Sequence, residues 1–508
     1  MKVGQLERKT QDRIVKFFQD ELNYEYLGNW EERTNNSNIE EELLSKYLKG
    51  KHPQTLINKA VNQLQKLATN QSKSLYDINK EIYSALRYGI DVKDKAGDKK
   101  QTIQFINWNE PLKNDFYIAE EVTVAGVNEK RPDIVLYVNG IVLGVLELKR
   151  SKVSVSEGIR QNLDNQRPEF IQNFFGTIQL IMAGNDSEGL RYGVIETPEK
   201  YFLNWKEQTG IRNKLDSGLS VLCEKQRFLE LIHDFIVFDR GQKKIARHNQ
   251  FFAVKESQSK LKKREGGIIW HTQGSGKTLT MVWLAKWIRE NIHDSRVLLI
   301  TDREELDDQI EERFHGIDEA IYRTKSGKDL INKLDKAEPW LICSLIHKFR
   351  STHTDDDEFR ELVSKIPKGF KAKGDIYVFV DECHRTQSGK LHEAMKSIVP
   401  NSIFVGFTGT PLFKKDKKNS LEVFGGYIHT YKYDEAVKDN VILDLQYEAR
   451  EIDQKLTSKD KVDKWFEAKT NGLTDFAMVE LKKKWATMQK VLSSKSRLQK
   501  IAADIMLD

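Results

Sequence analysis

The sequence is poor in cysteine and has no long apolar run. Its three cysteines, Cys223, Cys343 and Cys383, lie far apart and form no CxxC pair, which argues against disulfides and against a cysteine-ligated zinc site. No run approaches the roughly eighteen apolar residues of a membrane-spanning helix, and the N-terminus leads into charged residues rather than the apolar core of a signal peptide. We therefore expect a cytoplasmic protein with no membrane partner.

A strong excess of charge of one sign is also missing. The 508 residues include 82 Lys and Arg against 76 Asp and Glu, so the net charge of +6 does not by itself indicate a polyanionic partner, although local basic patches could still meet one. A hydrophobic fraction of 39% and a charged fraction of 31% describe a globular protein with a highly charged surface. The length suits two to four domains, and without internal repeats these must be located from motifs.

Two apolar segments in the first half of the chain predict a β-hairpin. Residues 133–138 and 141–148 are strand candidates, and Asn139-Gly140 between them is the strongest short-range hairpin signal. The flanking pattern predicts polar helices over residues 1 to about 95, short extended runs at 104–108 and 116–119, a helix from 156 to 165, and strands at 177–183 and 192–195. These elements together predict an α/β domain that ends near residues 205–240.

Three ionisable residues lie on this otherwise apolar hairpin. Asp133 begins the first strand, while Glu147 and Lys149 end the second and, two residues apart, point to the same face. With Asp133 they would form a cluster able to hold Mg²⁺ and activate a water for attack on a phosphodiester, the lysine positioning that water or stabilising the developing charge. The alternative is that strand ends simply carry charges where they emerge into solvent, and spacing alone does not separate the two.

The register of the hairpin matters for this cluster. A two-residue turn pairs Val138 with Ile141 and hence Asp133 with Leu146, which leaves Asp133 on the face opposite to Glu147. The metal site therefore requires a one-residue bulge or a longer turn, a device that is frequent beside active sites. We predict that irregularity.

A second signal is the segment His271-Thr272-Gln273-Gly274-Ser275-Gly276-Lys277-Thr278. It follows an apolar run and opens a helical pattern, which is the strand, Gly-rich turn and helix of a phosphate-binding loop. Backbone N–H groups of such a turn, Ser275 included, and the helix N-terminus favour a polyphosphate. Lys277 would reach the β/γ-phosphates and Thr278 would ligate Mg²⁺. The usual pattern begins with Gly, and His271 stands there instead.

Strands and helices alternate after this loop, as a parallel sheet requires. Strand candidates at 296–300, 340–344, 376–380 and 402–407 are almost wholly apolar, which is typical of strands buried on both faces. Polar residues at the carboxyl ends of such strands line the ligand crevice. Asp381 would serve the Mg²⁺-bound water there and Glu382 would orient or deprotonate the attacking water, although a solvated acidic pair is the alternative for this dipeptide alone.

The order of these motifs resembles a superfamily 2 helicase core. The segment 271–278 looks like its first motif, 381–384 its second and 408–410 its third, which couples nucleotide state to nucleic-acid contact. More narrowly, the chain resembles the restriction (R) subunit of type I restriction-modification enzymes. The residues that carry this resemblance are the segment 271–278, the segment 301–306 with Gln309, the run 407–412 and the upstream hairpin.

The resemblance implies specific roles. The N-terminal domain would be a PD-(D/E)xK nuclease, matched by Pro132-Asp133 and Glu147-Leu148-Lys149, with Asp133 and Glu147 binding metal. Gln250, beside Arg247, would read the adenine edge and favour ATP. The subunit would translocate and cleave double-stranded DNA together with methylation and specificity subunits, the methyltransferase partner binding S-adenosylmethionine.

Other positions match the family less well. Thr408, Thr410 and Arg303 are weaker candidates for coupling or backbone contact. The family carries a Gln-xxx-Tyr element after the nuclease lysine, and here Gln161 matches while Asn165 occupies the tyrosine position.

We expect three regions: a nuclease domain over 1–235, a first RecA-like lobe over 236–448, and a helical connector or the start of a second lobe over 449–508. Such motors need a second RecA-like lobe with an arginine finger, and we find no such strand series after Glu451. Alone, these residues are therefore expected to bind ATP poorly and not to translocate. Two alternatives stay open: a DNA repair helicase-nuclease acting on DNA ends, and a binding module whose nuclease is inactive.

Overall fold

The structure is a computed structural model that describes residues 4–95, 97–301, 314, 320–345, 370–383, 395–410, 423–445, 464, 467, 468, 470–474, 477 and 495–507. Residues Met1–Ile442 form one compact unit and Leu443–Asp508 a second. None of the described helices is long and apolar enough to cross a membrane. The expected domain boundaries at 235/236 and 448/449 stay predictions.

The described α-helices, numbered in chain order, begin and end as follows: α1 (Gly4–Asp20), α2 (Glu41–Leu48), α3 (Gln54–Ala68), α4 (Leu75–Tyr88), α5 (Val155–Asn165), α6 (Lys214–Leu222), α7 (Lys225–Asp234), α8 (His248–Lys262), α9 (Lys277–Asn291), α10 (Gly327–Leu334), α11 (Tyr433–Lys438) and, in the second unit, α12 (Lys495–Leu507). Short 3-10 helices lie at Pro111–Lys113, Gln172–Gly176 and Glu199–Tyr201. Several helices begin at a polar cap. Ser74 Oγ, for example, accepts the N–H of Asp77 at 3.1 Å and so satisfies a donor in the first turn of α4.

A seven-stranded mixed sheet forms the first layer, in the order β1-β4-β5-β6-β7-β8-β9. Its strands are β1 (Glu25–Asn29), β4 (Phe116–Glu120), β5 (Ile134–Val138), β6 (Ile141–Leu148), β7 (Leu180–Asn185), β8 (Gly189–Gly193) and β9 (Leu203–Asn204), and a separate small ladder joins β2 (Ile90–Val92) to β3 (Gln101–Ile103). Every residue of β4, β5, β6 and β7 is buried. Helices therefore cover both faces, and the ionisable residues on these strands are in the core.

A second seven-stranded sheet follows, in the order β14-β15-β13-β16-β17-β12-β18. Its strands are β12 (Gly267–His271), β13 (Ser295–Thr301), β14 (Tyr322–Arg323), β15 (Leu341–Leu345), β16 (Asp375–Val380), β17 (Ile403–Thr408) and β18 (Tyr427–Tyr431). All six strand pairings are parallel, which confirms the expected parallel α/β lobe. Because β12 lies between β17 and β18, the loops after β12 and β17 meet at the same edge.

The sequence pattern located most strands but not all. The four strands predicted after the phosphate-binding loop correspond to β13, β15, β16 and β17. The strands that were not predicted are β1, β2, β3, β9, β14, β18 and two short strands at 236–239 and 242–245. The prediction of an extended run at 104–108 was wrong, because β3 ends at Ile103 and the next residues are irregular. Phe105 and Ile106 are nevertheless buried, so their apolar character reflects core packing rather than a strand.

A small hairpin connects the two sheets and is fixed by a buried lysine. The strands β10 (Ile236–Asp239) and β11 (Gln242–Ile245) precede α8. Lys243 of β11 is 5% exposed, and its ammonium group donates to Asn79 Oδ1 at 2.7 Å and Gln179 Oε1 at 2.6 Å. Burial lowers the pKa of Lys243 well below its ordinary value. Lys243 thus links the hairpin to helix α4 and to the residue that precedes β7.

Removal of this lysine is expected to destabilise the first unit. Lys243→Ala leaves two buried amide oxygens without a donor, at a cost of about 2–4 kcal/mol in the free energy of unfolding. Lys263→Ala is the control, because Lys263 is exposed just after α8 and its removal should change the free energy of unfolding by about 0.5 kcal/mol or less. Urea unfolding followed by circular dichroism measures both variants, and equal midpoints would contradict the assignment.

Candidate nuclease and nucleotide sites

The β5–β6 hairpin carries the predicted irregularity. Ile134 pairs with Leu146 and Leu136 with Gly144, but the register then shifts and Tyr137 pairs with Val142, so that Leu143 is an extra residue in β6. This one-residue bulge confirms the prediction. Continuing the ladder outward from Ile134 and Leu146 brings Asp133 opposite Glu147, on the same face of the sheet.

The three predicted nuclease residues are consequently close together. The N–H of Leu148 donates to Asp133 Oδ2 at 2.6 Å, and Lys149 Nζ lies 3.8 Å from Glu147 Oε2. Glu147 is fully buried, and neither of its carboxylate oxygens has a hydrogen-bond partner. A buried carboxylate without donors fits a cation, because a metal ion would supply the compensation that the protein does not.

The electrostatics of the pair support the same interpretation. Burial raises the pKa of Glu147 well above its ordinary value, and the charge of Asp133 raises it further. Burial also raises the pKa of Asp133, while the positive charge of Lys149 and the N–H of Leu148 oppose that shift. Two buried carboxylates cannot both ionise cheaply unless a cation lies between them.

A third carboxylate, that of Glu121, lies near Asp133 and Glu147, and the sequence analysis did not predict it. The charge of Glu121 contributes to the raised pKa of both Asp133 and Glu147. Its N–H donates to the Asp133 carbonyl oxygen at 2.9 Å, and its φ of 51° is in the left-handed region. Arg131 Nε lies 2.7 Å from Glu121 Oε2. No spacing rule marks Glu121, because it reaches the site through the pairing of β4 with β5.

Helix α5 covers this cluster through a small residue. A Cβ atom added at Gly158 would lie 3.4 Å from Glu147 Cβ and 3.5 Å from Lys149 Cγ, so glycine allows the helix to approach the strand. Gln161 is on the same helix and is half-buried. Asn165 is 1% exposed, and neither its side-chain oxygen nor its nitrogen has a hydrogen-bond partner. Asn165, which stands where the family has tyrosine, therefore lies inside the fold rather than on an open surface.

The phosphate-binding loop has the conformation that its glycines predict. Gly274 has φ 81° and Gly276 φ 88°, values that side chains rarely adopt, and α9 begins at Lys277 with Thr278 in its first turn. Ser275 Oγ donates to the Thr272 carbonyl oxygen at 2.6 Å and closes the turn.

Gln250 of α8 supports the loop from behind. Its Nε2 donates to the Gly276 carbonyl oxygen at 3.0 Å, and its Oε1 accepts the N–H of Arg247 at 2.9 Å. A Cβ atom at Gly276 would lie only 2.4 Å from Gln250 Nε2. Both ends of the Gln250 amide thus contact the protein, and its role in reading the adenine edge stays a prediction.

Residues of the second motif (381–384) and the third motif (408–410) lie close to the phosphate-binding loop, because β16, β17 and β12 are adjacent strands. Lys277 Nζ lies 3.9 Å from Glu382 Oε1, and the N–H of Gly409 donates to Glu382 Oε2 at 3.4 Å. Asp381 is 7% exposed at the end of β16. The N–H of Thr410 donates to Thr408 Oγ1 at 3.3 Å. The structure thus brings the predicted nucleotide residues to one edge, while Arg303, the segment 302–306, Gln309, His384 and residues 411–412 lie outside the described residues.

His271 has a structural explanation. It is the last residue of β12, fully buried, and its Nε2 lies 2.8 Å from His429 Nδ1 on the neighbouring strand β18. Burial, followed by the neighbouring His429, lowers the pKa of His271 well below its ordinary value. The position usually occupied by glycine is therefore a strand residue in the core here and not part of the phosphate cradle.

In comparisons with known proteins, two family models match two separate parts of the chain. Residues 4–200 match the family model "Type I restriction enzyme R protein N terminus", and residues 249–478 match the family model "SWI2/SNF2 ATPase". The type I restriction enzyme HindI endonuclease subunit of Haemophilus influenzae is 27% identical over 88% of this chain and 45% of its own length. The SauMSSORF170P endonuclease subunit of Staphylococcus aureus is 27% identical over 67% of this chain and 37% of its own length.

Solved structures are more distant. The nuclease-deletion mutant of the Type ISP restriction-modification enzyme LlaGI, in complex with a DNA substrate mimic, is 16% identical over 48% of this chain and 24% of that chain, with a TM-score of 0.31. At this TM-score the likeness carries no argument. The chain spans less than half the length of the two curated relatives. The chain thus carries a domain that matches the N terminus of type I restriction enzyme R proteins, followed by a domain that matches SWI2/SNF2 ATPases, and its curated relatives are type I restriction enzyme endonuclease subunits.

Proposed function

We propose that this chain supplies the nuclease and part of the motor of an ATP-dependent type I restriction endonuclease that translocates double-stranded DNA. The observation that carries the proposal is the bulged hairpin, which brings Asp133 opposite the buried Glu147 in the same compact unit as the phosphate-binding loop. Glu147 is fully buried and receives no hydrogen bond, and its ion-pair partner Lys149 lies 3.8 Å away, so a bound cation would supply the missing compensation.

In the nuclease domain, Asp133 and Glu147 would hold a divalent cation, which we propose is Mg²⁺. When bound, this metal would lower the pKa of an attacking water and neutralise charge on the scissile phosphate. Lys149, 3.8 Å from Glu147, would orient that water and stabilise the developing negative charge. Glu121 would add negative charge to the site and so favour the cation, while its ion pair with Arg131 keeps its carboxylate in place.

In the ATPase domain, backbone N–H groups from Gly274 to Thr278 would hold the phosphates of ATP, and Lys277 would pair with the β/γ-phosphates. Thr278 and Asp381 would hold the nucleotide's Mg²⁺, and Glu382 would orient the hydrolytic water. The present contact of Lys277 with Glu382 would open on nucleotide binding, because both groups are then needed by ATP and water. The Gly409 N–H on Glu382 would transmit that change to the third motif.

The same proposal includes the partners. Methylation and specificity subunits in the cytoplasm would find the DNA target, with S-adenosylmethionine bound by the methyltransferase and not by this chain. Because the curated relatives are longer, the reaction belongs to the full-length subunit in its complex.

The nuclease assignment predicts a selective loss of cleavage. In the full-length subunit assembled with methylation and specificity subunits, Glu147→Gln is expected to lower DNA cleavage by at least about 100-fold, since it removes a direct metal ligand. The rate of DNA-dependent ATP hydrolysis should be unchanged. Glu157→Gln is the matched control, because Glu157 lies in the first turn of α5 and its side chain is 61% exposed.

Cleavage by Glu147→Gln at the wild-type rate would refute the nuclease site. Cleavage of DNA ends without any modification partner would instead favour a repair helicase-nuclease.

The nucleotide assignment predicts a different pattern. Lys277→Ala removes the cation that pairs with the transferred phosphate, so both ATP hydrolysis and cleavage should fall by at least about 100-fold. Lys263→Ala, an exposed lysine just after α8, should leave both rates unchanged. A steady-state phosphate-release assay and a plasmid-cleavage assay measure the two activities, and ATP hydrolysis that survives Lys277→Ala would disprove the role.

A further inference from the structure

Three helices end at one place on the boundary between the two sheets. The last turn of α4 contains Arg87, the last turn of α7 contains His233 and Asp234, and the last turn of α9 contains Glu290. Helix α9 is the one that begins at the phosphate-binding loop, whereas α4 and α7 lie on the side of the first sheet. The C-terminal end of α9, opposite the phosphate-binding loop, therefore meets the C-terminal ends of α4 and α7.

Within the described ranges, His233, Asp234 and Glu290 form a group with the composition of a metal site. One ligand atom from each residue lies within 4.8 Å of the others. In a tetrahedral zinc site the ligand atoms are about 3.4 Å apart, so rotamer adjustments of about 1 Å would close the group around an ion. The side chains are between 21% and 30% exposed, so an ion can reach them.

The local electrostatics favour a cation. Each helix C-terminus carries a partial negative charge of about half an electron, and three of them converge here. Acidic residues are unfavourable in the last turn of a helix for the same reason, yet Asp234 and Glu290 both lie there. Two carboxylates face one guanidinium, since Arg87 Nη2 donates to Glu290 Oε2 at 2.6 Å. Arg87, and the 2.6 Å contact between His233 Nδ1 and Asp234 Oδ1, compensate part of this charge, and a bound cation would add to that compensation.

The surroundings fit an ion with exchangeable ligands. His233 and Glu290 line a cavity of about 510 Å³, which has room for water molecules in the remaining coordination positions. The Trp108 ring packs on the His233 imidazole with centroids 4.8 Å apart, and Tyr83 Oη donates to the His233 carbonyl oxygen at 3.0 Å. The imidazole is therefore fixed before any ion arrives. Arg87, whose side chain is 3% exposed, donates to one oxygen of Glu290, so the position of this carboxylate is also fixed.

We propose that His233, Asp234 and Glu290 bind a divalent transition-metal ion of the zinc class, distinct from the metals of the nuclease and nucleotide sites. An imidazole with two carboxylates and water is a ligand set for such ions. The ion joins α7 to the far end of α9, and so joins the nuclease side of the unit to the helix that begins at Lys277. Its role is to stabilise this junction.

Zinc titration of the 508-residue chain tests the site. The background variant carries Asp133→Asn and Glu147→Gln, so that the nuclease carboxylates do not contribute, and Zn²⁺ binding is measured by isothermal titration calorimetry. One site is expected, together with a rise in the unfolding temperature on addition of Zn²⁺. His233→Gln should weaken binding by at least about tenfold. His293→Gln is the control, because His293 is an exposed histidine two residues beyond α9.

A pair of substitutions at Glu290 separates a metal site from a plain ion pair. Glu290→Gln and Glu290→His both abolish the ion pair with Arg87, but imidazole is itself a zinc ligand. Zinc affinity is therefore expected to fall at least about tenfold in Glu290→Gln and to stay within about threefold of the background in Glu290→His. Equal zinc affinity in the two variants, or no zinc binding by the background variant, would overturn the proposal. Unfolding temperatures with a chelator present show whether either variant is folded without metal.

Discussion

The burial of Glu147 is the constraint on which the nuclease half of this protein depends. An ionised carboxylate inside a strand whose residues are all buried loses its hydration and receives no hydrogen bond in return. The protein surrounds it with Asp133, Glu121 and Lys149, so the site contains more acid than its own lysine neutralises. Such a site would be stable as an ionised cluster around a cation, so the proposed metal binding depends directly on the geometry of the hairpin.

The nucleotide half obeys a different constraint, which is the order of strands in a parallel sheet. The loops after β12, β16 and β17 reach the same edge because these strands are adjacent, although about 100 residues or more of chain separate the first from the other two. Lys277, Glu382 and Gly409 meet there through contacts of 3.4–3.9 Å. The compactness of this site follows from topology, and Gln250 then fixes the loop to α8, whose start adjoins the Lys243 hairpin.

How far the sequence predicts this arrangement depends on whether the cause is local. The phosphate-binding loop and the four central strands follow from glycine positions and apolar runs, whereas the bulge was predicted only because the metal site requires Asp133 and Glu147 to share a face. Glu121, the His271–His429 contact and the burial of Lys243 could not be predicted, because each depends on residues distant in sequence. The wrong strand at 104–108 has the same origin, since burial and strand formation both favour apolar residues and only the tertiary structure separates them.

The extra residue at Leu143 places a limit on how the length of this hairpin can vary. Successive side chains of a strand point to opposite faces of the sheet. Whether Asp133 and Glu147 share a face therefore depends on whether the number of residues between them is odd or even. A deletion of one residue would turn one carboxylate away from the other and abolish the site without disturbing the apolar composition of either strand. Two residues added at the Asn139-Gly140 turn would preserve the facing. Length changes in hairpins that keep both acids should therefore occur in even numbers or be accompanied by a change in the bulge or the turn.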